Sequence, residues 1–357
     1  MDGTISKPAR PVLEYPFGDT TPDVGETIEV ADSVYWVRMP LPFSLQWINL
    51  WLIDDGDRGW TIVDTGMPLE ETKTAWRKIF DTHLEGRPVW RIIITHMHPD
   101  HIGNAGWLSR KFPGSELWIS RLEYVTCRML IADTGRDAPE AGVSFFERAG
   151  WTEAQIDVYR SRFGGFGRAI SRLPDSYHRL TDGEQFEMAG ADWRVIMGNG
   201  HSPEHACLYS QSLGVLISGD QLLPRISSNV SVHPTEPNED PLKDWLDSCA
   251  KLRDAVPEDV LVLPAHNEPF IGAHRRLNHL IRGHEVALKR LKQRLGQSDK
   301  RAVDVFPAVF GRSIEEDQLS MATGEAIAHL NYLVQSGEAE TQLDTDGVLW
   351  YRSKSSD

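Results

Sequence analysis

Residues 91–103, RIIITHMHPDHIG, constrain this chain more than any other stretch. Residues 92–94 are an apolar, β-branched run that reads as a buried strand. The run leads directly into His96, His98, Asp100 and His101, four ligand-type side chains within six residues. Pro99 argues against a regular helix or a central strand through the cluster. The expected geometry is a stiff strand that stops and a loop that turns its polar side chains into one hole. Neutral imidazole and carboxylate bind divalent metals well, and buried together without a metal they are costly to desolvate. A solvated, His-rich loop is the alternative, and the buried strand immediately before the cluster weighs against it.

Three later stretches repeat the pattern of an apolar run ending in a ligand-type residue. His201 lies in GNGHSPEH (198–205), Asp220 ends SGD (218–220) and His266 ends PAH (264–266). Each alone reads as a turn residue; together they predict loops that meet at one sheet edge, where open sheets place their ligands. Asp64, in VDTG (63–66), reads either as a turn former or as the acceptor that fixes the tautomer of a ligand histidine. His205, His274, His279, His284 and His329 fall within loops or helical runs and read as surface or packing residues.

Residues 1–25, rich in Pro, Gly and Asp, read as an extended arm. Strand-like runs at 33–38, 48–53 and 60–63 form a hairpin with a turn at 54–57. A helix is expected over about 69–81, a strand over 88–95, a helix over 101–112 and a strand over 116–119. This alternation implies layers of sheet and helix. Residues 121–175 interrupt it with a largely helical insertion. There Arg160, Arg162, Arg168 and Arg172 bracket Phe163 and Phe166, either as a lid whose arginines (Arg168 among them) meet an anionic substrate group or as a solvated basic face. Strands return at 185–188, 193–196, 206–209 and 215–218, then a helix over 241–255 and a strand over 260–263. Three helices (277–295, 303–309, 324–336) and a hairpin over 341–352, turning at Asp346-Gly347, close the chain.

At 357 residues the chain predicts a large domain over 26–273 and a smaller one over 274–357. No apolar run reaches the length of a membrane span. The N-terminus lacks a basic segment followed by an apolar one, so no signal peptide is expected. The cysteines, Cys127, Cys207 and Cys249, are too scattered for a disulfide framework or a CxxC site and read as buried thiols in a cytoplasmic protein. A net charge of −15 opposes broad attraction to nucleic acid or anionic lipid.

With THMHPDH at 95–101, GNGHSPEH at 198–205, SGD at 218–220, PAH at 264–266 and VDTG at 63–66, the chain resembles the metallo-β-lactamase superfamily over roughly residues 25–275. The resemblance implies an α/β fold, the αββα sandwich. It implies that His96, His98 and His201 hold one metal, Asp100, His101 and His266 a second, and that Asp220 bridges them. Two metals about 3.5–4 Å apart share a water and lower its pKa to near 7, and the resulting hydroxide attacks an electrophilic carbonyl or phosphorus. Asp100 is expected to orient that nucleophile or carry a proton to the leaving group. The nitrogen and oxygen donors suit two zinc ions per chain, with iron or manganese compatible.

The bridging Asp220 and the missing export signal argue against antibiotic hydrolysis. The ligand set resembles that of thioester, ester and lactone hydrolases, the expected function here on a small-molecule substrate. The alternatives are a metal-dependent endoribonuclease and a non-catalytic ligand sensor. The tail resembles a winged helix, but residues 313–351 contain no Lys or Arg while Glu315, Glu316, Asp317, Glu325, Glu338, Glu340, Asp344 and Asp346 are acidic. A recognition helix without a cation cannot neutralise phosphates. The tail therefore reads as a packing, dimerising or pocket-covering module, consistent with a homodimer. Arg275, Arg276, Arg282, Lys289, Arg290 and Lys292 keep a nucleic-acid reading open. In the loop after Asp220, Asn229 and His233 are candidates to bind substrate or an oxyanion.

Overall fold

The structure, a computed structural model, describes residues 5 and 8–354. In chain order its first half contains β1 (Thr27–Ala31), β2 (Val34–Pro40), β3 (Trp47–Asp54), β4 (Trp60–Val63), α1 (Glu70–Thr82), β5 (Val89–Ile93), α2 (Pro99–Ile102), α3 (Ala105–Lys111), β6 (Glu116–Ser120), α4 (Arg121–Ala132), α5 (Glu140–Ala149), α6 (Glu153–Arg162) and β7 (His178–Leu180). The second half contains β8 (Gln185–Met188), β9 (Ala191–Gly198), β10 (His205–Ser210), β11 (Val215–Gly219), α7 (Pro241–Ala255), β12 (Leu261–Pro264), β13 (Phe270–Ile271), α8 (Ala273–Leu295), α9 (Phe306–Phe310), α10 (Leu319–Gln335), β14 (Ala339–Leu343) and β15 (Leu349–Ser353).

Strands β1 to β7 form one sheet in sequence order, antiparallel from β1 to β4 and parallel from β4 to β7. The second sheet runs β13-β12-β11-β10-β9-β8, with β11 and β12 parallel. The inner faces meet in one apolar layer, where Trp36, Trp51, Val63 and Ile93 of the first sheet pack with Trp193, Val195, Leu208 and Ile217 of the second. Both sheets are covered outside, the first by α1, α3 and α4, the second by α7 and α8. This is the αββα sandwich. Strands buried on both faces carry near-continuous apolar runs, as in β3, WINLWLID, with six consecutive buried residues.

Helices α8 to α10 and the β14–β15 hairpin extend the outer layer of the second sheet without a break in the apolar cluster. On α8, Leu277, Leu280, Leu288, Leu291 and Leu295 recur at helical spacing and are buried. The insertion is anchored to this layer. Phe145 and Phe146 of α5 join its cluster, and the Trp151 indole donates to Thr323 Oγ1 at 2.9 Å. The insertion's arginines turn outward and pair locally, Arg160 with Glu153 and Asp157 and Arg172 with Asp175. The described part of the N-terminal arm is tied down too, while residues 1–4, 6 and 7 of it lie outside the described residues: Glu14 bridges to Ile271, and Arg290 donates to the Ile5 carbonyl. Among the described residues no helix is long and apolar enough to cross a membrane.

The expected helix over 101–112 is broken, and it starts earlier. Pro99 occupies the first position of α2, which carries Asp100 and His101, and the chain bends at Gly103 before α3. Proline is pre-organised at the start of a helix, where its missing N–H has no partner to lose. Strands β1, β7 and β13 were not expected: β7 and β13 span three and two residues, too few to show a period, and β1, TIEVA, directly follows the stretch read as an extended arm.

Candidate metal centre

The four ligand-bearing stretches converge at the C-terminal ends of β5, β9, β11 and β12. Two groups of donor atoms result, each with all members within 4.8 Å of one another: His96, His98, His201 and Asp220, and Asp100, His101 and His266. His96 Nε2 lies 2.9 Å from His98 Nδ1. Asp220 stands between the groups, Oδ2 3.3 Å from His201 Nε2, and Oδ1 3.6 Å from His101 Nε2 and 3.5 Å from His266 Nε2. Asp100 Oδ2 is 3.4 Å from His266 Nε2.

Each of three imidazoles is fixed from behind. His101 Nδ1 donates to Asp64 Oδ2 (2.7 Å), His201 Nδ1 to the Asn229 carbonyl (2.7 Å) and His266 Nδ1 to the Trp47 carbonyl (3.0 Å). Those bonds turn three Nε2 atoms inward. Asp64 is itself set by Thr95, whose backbone N and Oγ1 donate to its two oxygens at 2.8 and 2.7 Å. Its φ of +60° is unusual for a residue with a Cβ and is held by this network. Asn49, buried between the sheets, donates to the carbonyls of Pro264 and Asn267 at 2.8 and 2.6 Å and so fixes the loop that carries His266.

Glycine is required at two of the turns. Gly219 has a φ of +49°, and a Cβ there would lie 2.5 Å from His205 Nε2; Gly200 has a φ of +99° and would meet the Pro241 carbonyl at 2.5 Å.

The donor set fits divalent cations. His101 Nε2, His201 Nε2 and Asp220 Oδ1 are buried yet make no hydrogen bond. Buried acceptors turned on one another are unfavourable unless something positive lies between them. The proton equilibria point the same way. Burial and the neighbouring His201 push His98 down to about 3. Burial also opposes charge on His101, but Asp64, Asp100 and Asp220 outweigh it and raise it to about 10. Despite burial, His266 and His101 hold the Asp220 carboxyl well below its ordinary range. Burial thus keeps His98 neutral and ready to ligate, while the carboxylates around His101 draw a proton onto that ring in the absence of a cation; a bound divalent cation would take the place of that proton.

Asn229 reaches the centre through its backbone carbonyl; its side chain donates to Glu325 Oε2 at 2.8 Å. His233 is exposed on the same loop, close enough to His201 to feel its charge but not bonded to it. Arg168 is exposed on a short 3-10 turn and shares no hydrogen bond, ion pair or ring contact with any of the seven donor residues.

Two supporting residues lay outside the sequence reading. His205, read there as a surface or packing residue, is fully buried; its ring stacks on His96 with centroids 4.8 Å apart, and its Nε2 accepts from the Asp220 backbone N at 3.0 Å. Glu123 of α4 is also fully buried and accepts from the backbone N of Met97 and of Glu204, each at 2.8 Å, joining the first and second ligand loops. The spacing of His205 from His201 hinted at a shared loop. Nothing local distinguished Glu123 from any acid in an amphipathic helix.

The sequence profile of the metallo-β-lactamase superfamily matches residues 48–266, and that of the metallo-β-lactamase-like C-terminal domain matches residues 288–354. A crystal structure of a β-lactamase domain protein from Burkholderia ambifaria is 41% identical, superposes with a TM-score of 0.88, and covers 96% of this chain and 98% of its own. The protein named probable metallo-hydrolase YqjP of Bacillus subtilis is 23% identical over 90% of this chain and 98% of its own length. An atrochrysone carboxyl ACP thioesterase of Claviceps purpurea is 22% identical over 85% of this chain and 80% of its own.

Proposed function

The chain belongs to the metallo-β-lactamase superfamily, and on that premise we propose that it hydrolyses a small thioester, ester or lactone with the help of two divalent cations. The observation that carries the reading is the Asp220 carboxylate set between two groups of inward-facing imidazoles, with the buried Nε2 atoms of His101 and His201 and its own Oδ1 left without a hydrogen bond. We assign His96, His98 and His201 to one cation, Asp100, His101 and His266 to the other, and Asp220 to both. The donor set suits zinc, and iron or manganese also fits it. When bound, such a pair supplies a Lewis acid and draws the pKa of water towards about 7.

The chain's own residues supply position. Asp64, Asn229 and Trp47 fix the ring orientations from behind, so the donors need no reorganisation during reaction. Asp100, partly exposed at the mouth of the centre, orients the attacking water and returns a proton to the departing sulfur or oxygen. The water oxygen joins the acyl carbon, the C–S or C–O bond breaks, and the leaving group departs with that proton. No cysteine competes as nucleophile: all three are buried, and burial pushes the thiols of Cys127 and Cys249 up to about 12. The thioesterase name of the Claviceps relative favours a thioester over the other two bonds.

A screen of the zinc-loaded protein across acyl thioesters, lactones, aryl esters, phosphodiesters and single-stranded RNA tests this. Thioester turnover that stops with chelator and returns with zinc is expected. Metal-dependent RNA cleavage with no acyl substrate turned over would replace the reading.

A further inference from the structure

A cavity of about 650 Å³ opens between α8, α10 and the loop that follows Asp220. It adjoins the metal centre through Asn229, whose carbonyl holds His201 while its side chain lies on the cavity wall bonded to Glu325. In a chain of net charge −15, this one concavity gathers Arg10, Arg225, Arg276, Arg290 and Arg312. Only Arg225 has an acid partner among the described residues, Glu268 at 2.8 Å.

The other guanidinium groups are positioned by neutral acceptors. Arg276 is buried on α8 and donates to the carbonyls of Leu223 and Ile226, both at 2.6 Å. Arg290 donates to the Ile5 carbonyl, and Arg312 to Gln318 Oε1 at 2.7 Å. Each fork keeps N–H groups to spare, since a guanidinium carries five. The crowding is felt locally: burial and the nearby Arg276, Arg10 and Arg282 depress protonation of His279 on the same wall. The one carboxyl among the lining residues, Glu325, is tied to Asn229, and burial raises it to about 7. A buried arginine without a carboxylate is costly unless a ligand supplies the charge.

We propose that this cleft binds the phosphate-bearing carrier of an acyl thioester, with the acyl end directed past Asn229 to the metal centre. The proposal rests on the hydrolase reading above and names its substrate class. Several uncompensated arginines call for several negative charges, which a carrier with two or more phosphates provides and a single carboxylate does not. The volume lies within the roughly 300–1,000 Å³ of small-molecule sites. The cations line a bounded hollow, and residues 313–351 beside it have none, which disfavours a tract for a nucleic-acid strand.

The test uses the zinc-loaded full chain and one acyl group on two carriers, coenzyme A and uncharged N-acetylcysteamine. The wild type should favour the coenzyme A ester by about tenfold or more in kcat/KM, and Arg312→Gln should shrink that preference about tenfold through KM. Arg276→Gln should do the same; Arg312, being exposed, gives the answer even if the buried variant fails to fold. Equal use of the two esters by the wild type overturns the proposal, as does a preference that Arg312→Gln leaves intact. Calorimetry with free coenzyme A and with a ten-nucleotide RNA separates this reading from the one beneath it. Coenzyme A binding weakened by Arg312→Gln, with no thioester turned over, keeps the cleft and sinks the hydrolase. Thioester turnover without coenzyme A binding sinks the cleft alone. RNA that displaces coenzyme A from the cleft overturns the proposal in favour of a nucleic acid.

Discussion

His101 in the candidate metal centre and His284 on α8 are both buried imidazoles in contact with another histidine. His101 lies 3.9 Å from His96 between ring centroids, and His284 Nδ1 lies 3.2 Å from His329 Nε2. Their titration runs in opposite directions. Burial disfavours charge on both, but carboxylates surround His101 and raise it to about 10, while burial and His329 press His284 down to about 3. His329 Nδ1 donates to the Glu325 carbonyl, which leaves its Nε2 free to accept from His284. The second pair is bonded ring to ring and stands with one carboxyl, Glu325, which burial raises to about 7, and His284 Nε2 is itself buried without a hydrogen bond; the first group is surrounded by Asp64, Asp100 and Asp220, which favour charge on His101. What separates the candidate metal centre from the pair on α8 and α10 is the number of carboxylates around its rings, three against the single Glu325.

The largest expected effect separates the two clusters directly. His96→Ala or chelation should lower turnover by roughly 10³-fold or more. Metal analysis should show at least one of two ions per chain lost from His96→Ala and both retained in His284→Ala; a third ion that disappears with His284 would erase the distinction.

The neutral pair makes its own prediction with pH. Unfolded histidines titrate near 6.5; the folded values are about 3 for His284 and about 4 for His329. Between those limits the unfolded chain binds the extra protons. Stability is therefore full above pH 6.5 and falls as pH drops below it, by on the order of 2 kcal/mol for each histidine at pH 5. The double variant His284→Asn/His329→Asn should show a flatter dependence of Tm on pH between 7 and 5, and an unchanged slope would refute the buried neutral pair.

Asp64→Asn keeps the shape but removes the charge behind His101, and should cost roughly 10–100-fold in metal affinity, read by competition with a chromophoric chelator. The smallest effect belongs to Glu123→Gln. One oxygen still accepts while the other acceptor is lost, so a cost of about 1–3 kcal/mol is expected by denaturant unfolding, with metal content kept.

The sequence by itself determined the candidate donor residues and the layers that carry them. Donor residues such as His96 and His266 end apolar runs, and a strand that stops at a sheet edge delivers its last side chains to that edge whatever the rest of the chain does. The helices from residue 241 onward were legible for the same local reason, a repeat close to 3.6 residues. What the sequence left undecided involves contacts between distant segments. His205 and Glu123 act by bonding loops remote in sequence, and no local pattern marks them. Arg168 stood in a basic run that invited an anion, yet the insertion docks by Phe145, Phe146 and Trp151 and leaves that run facing solvent. Arg10, Arg276 and Arg312 come from three unconnected segments and share a hollow only because α8 and α10 pack across the loop after Asp220. Local periodicity fixes which face of an element is apolar; only the packing of those faces decides which charges end up without a partner.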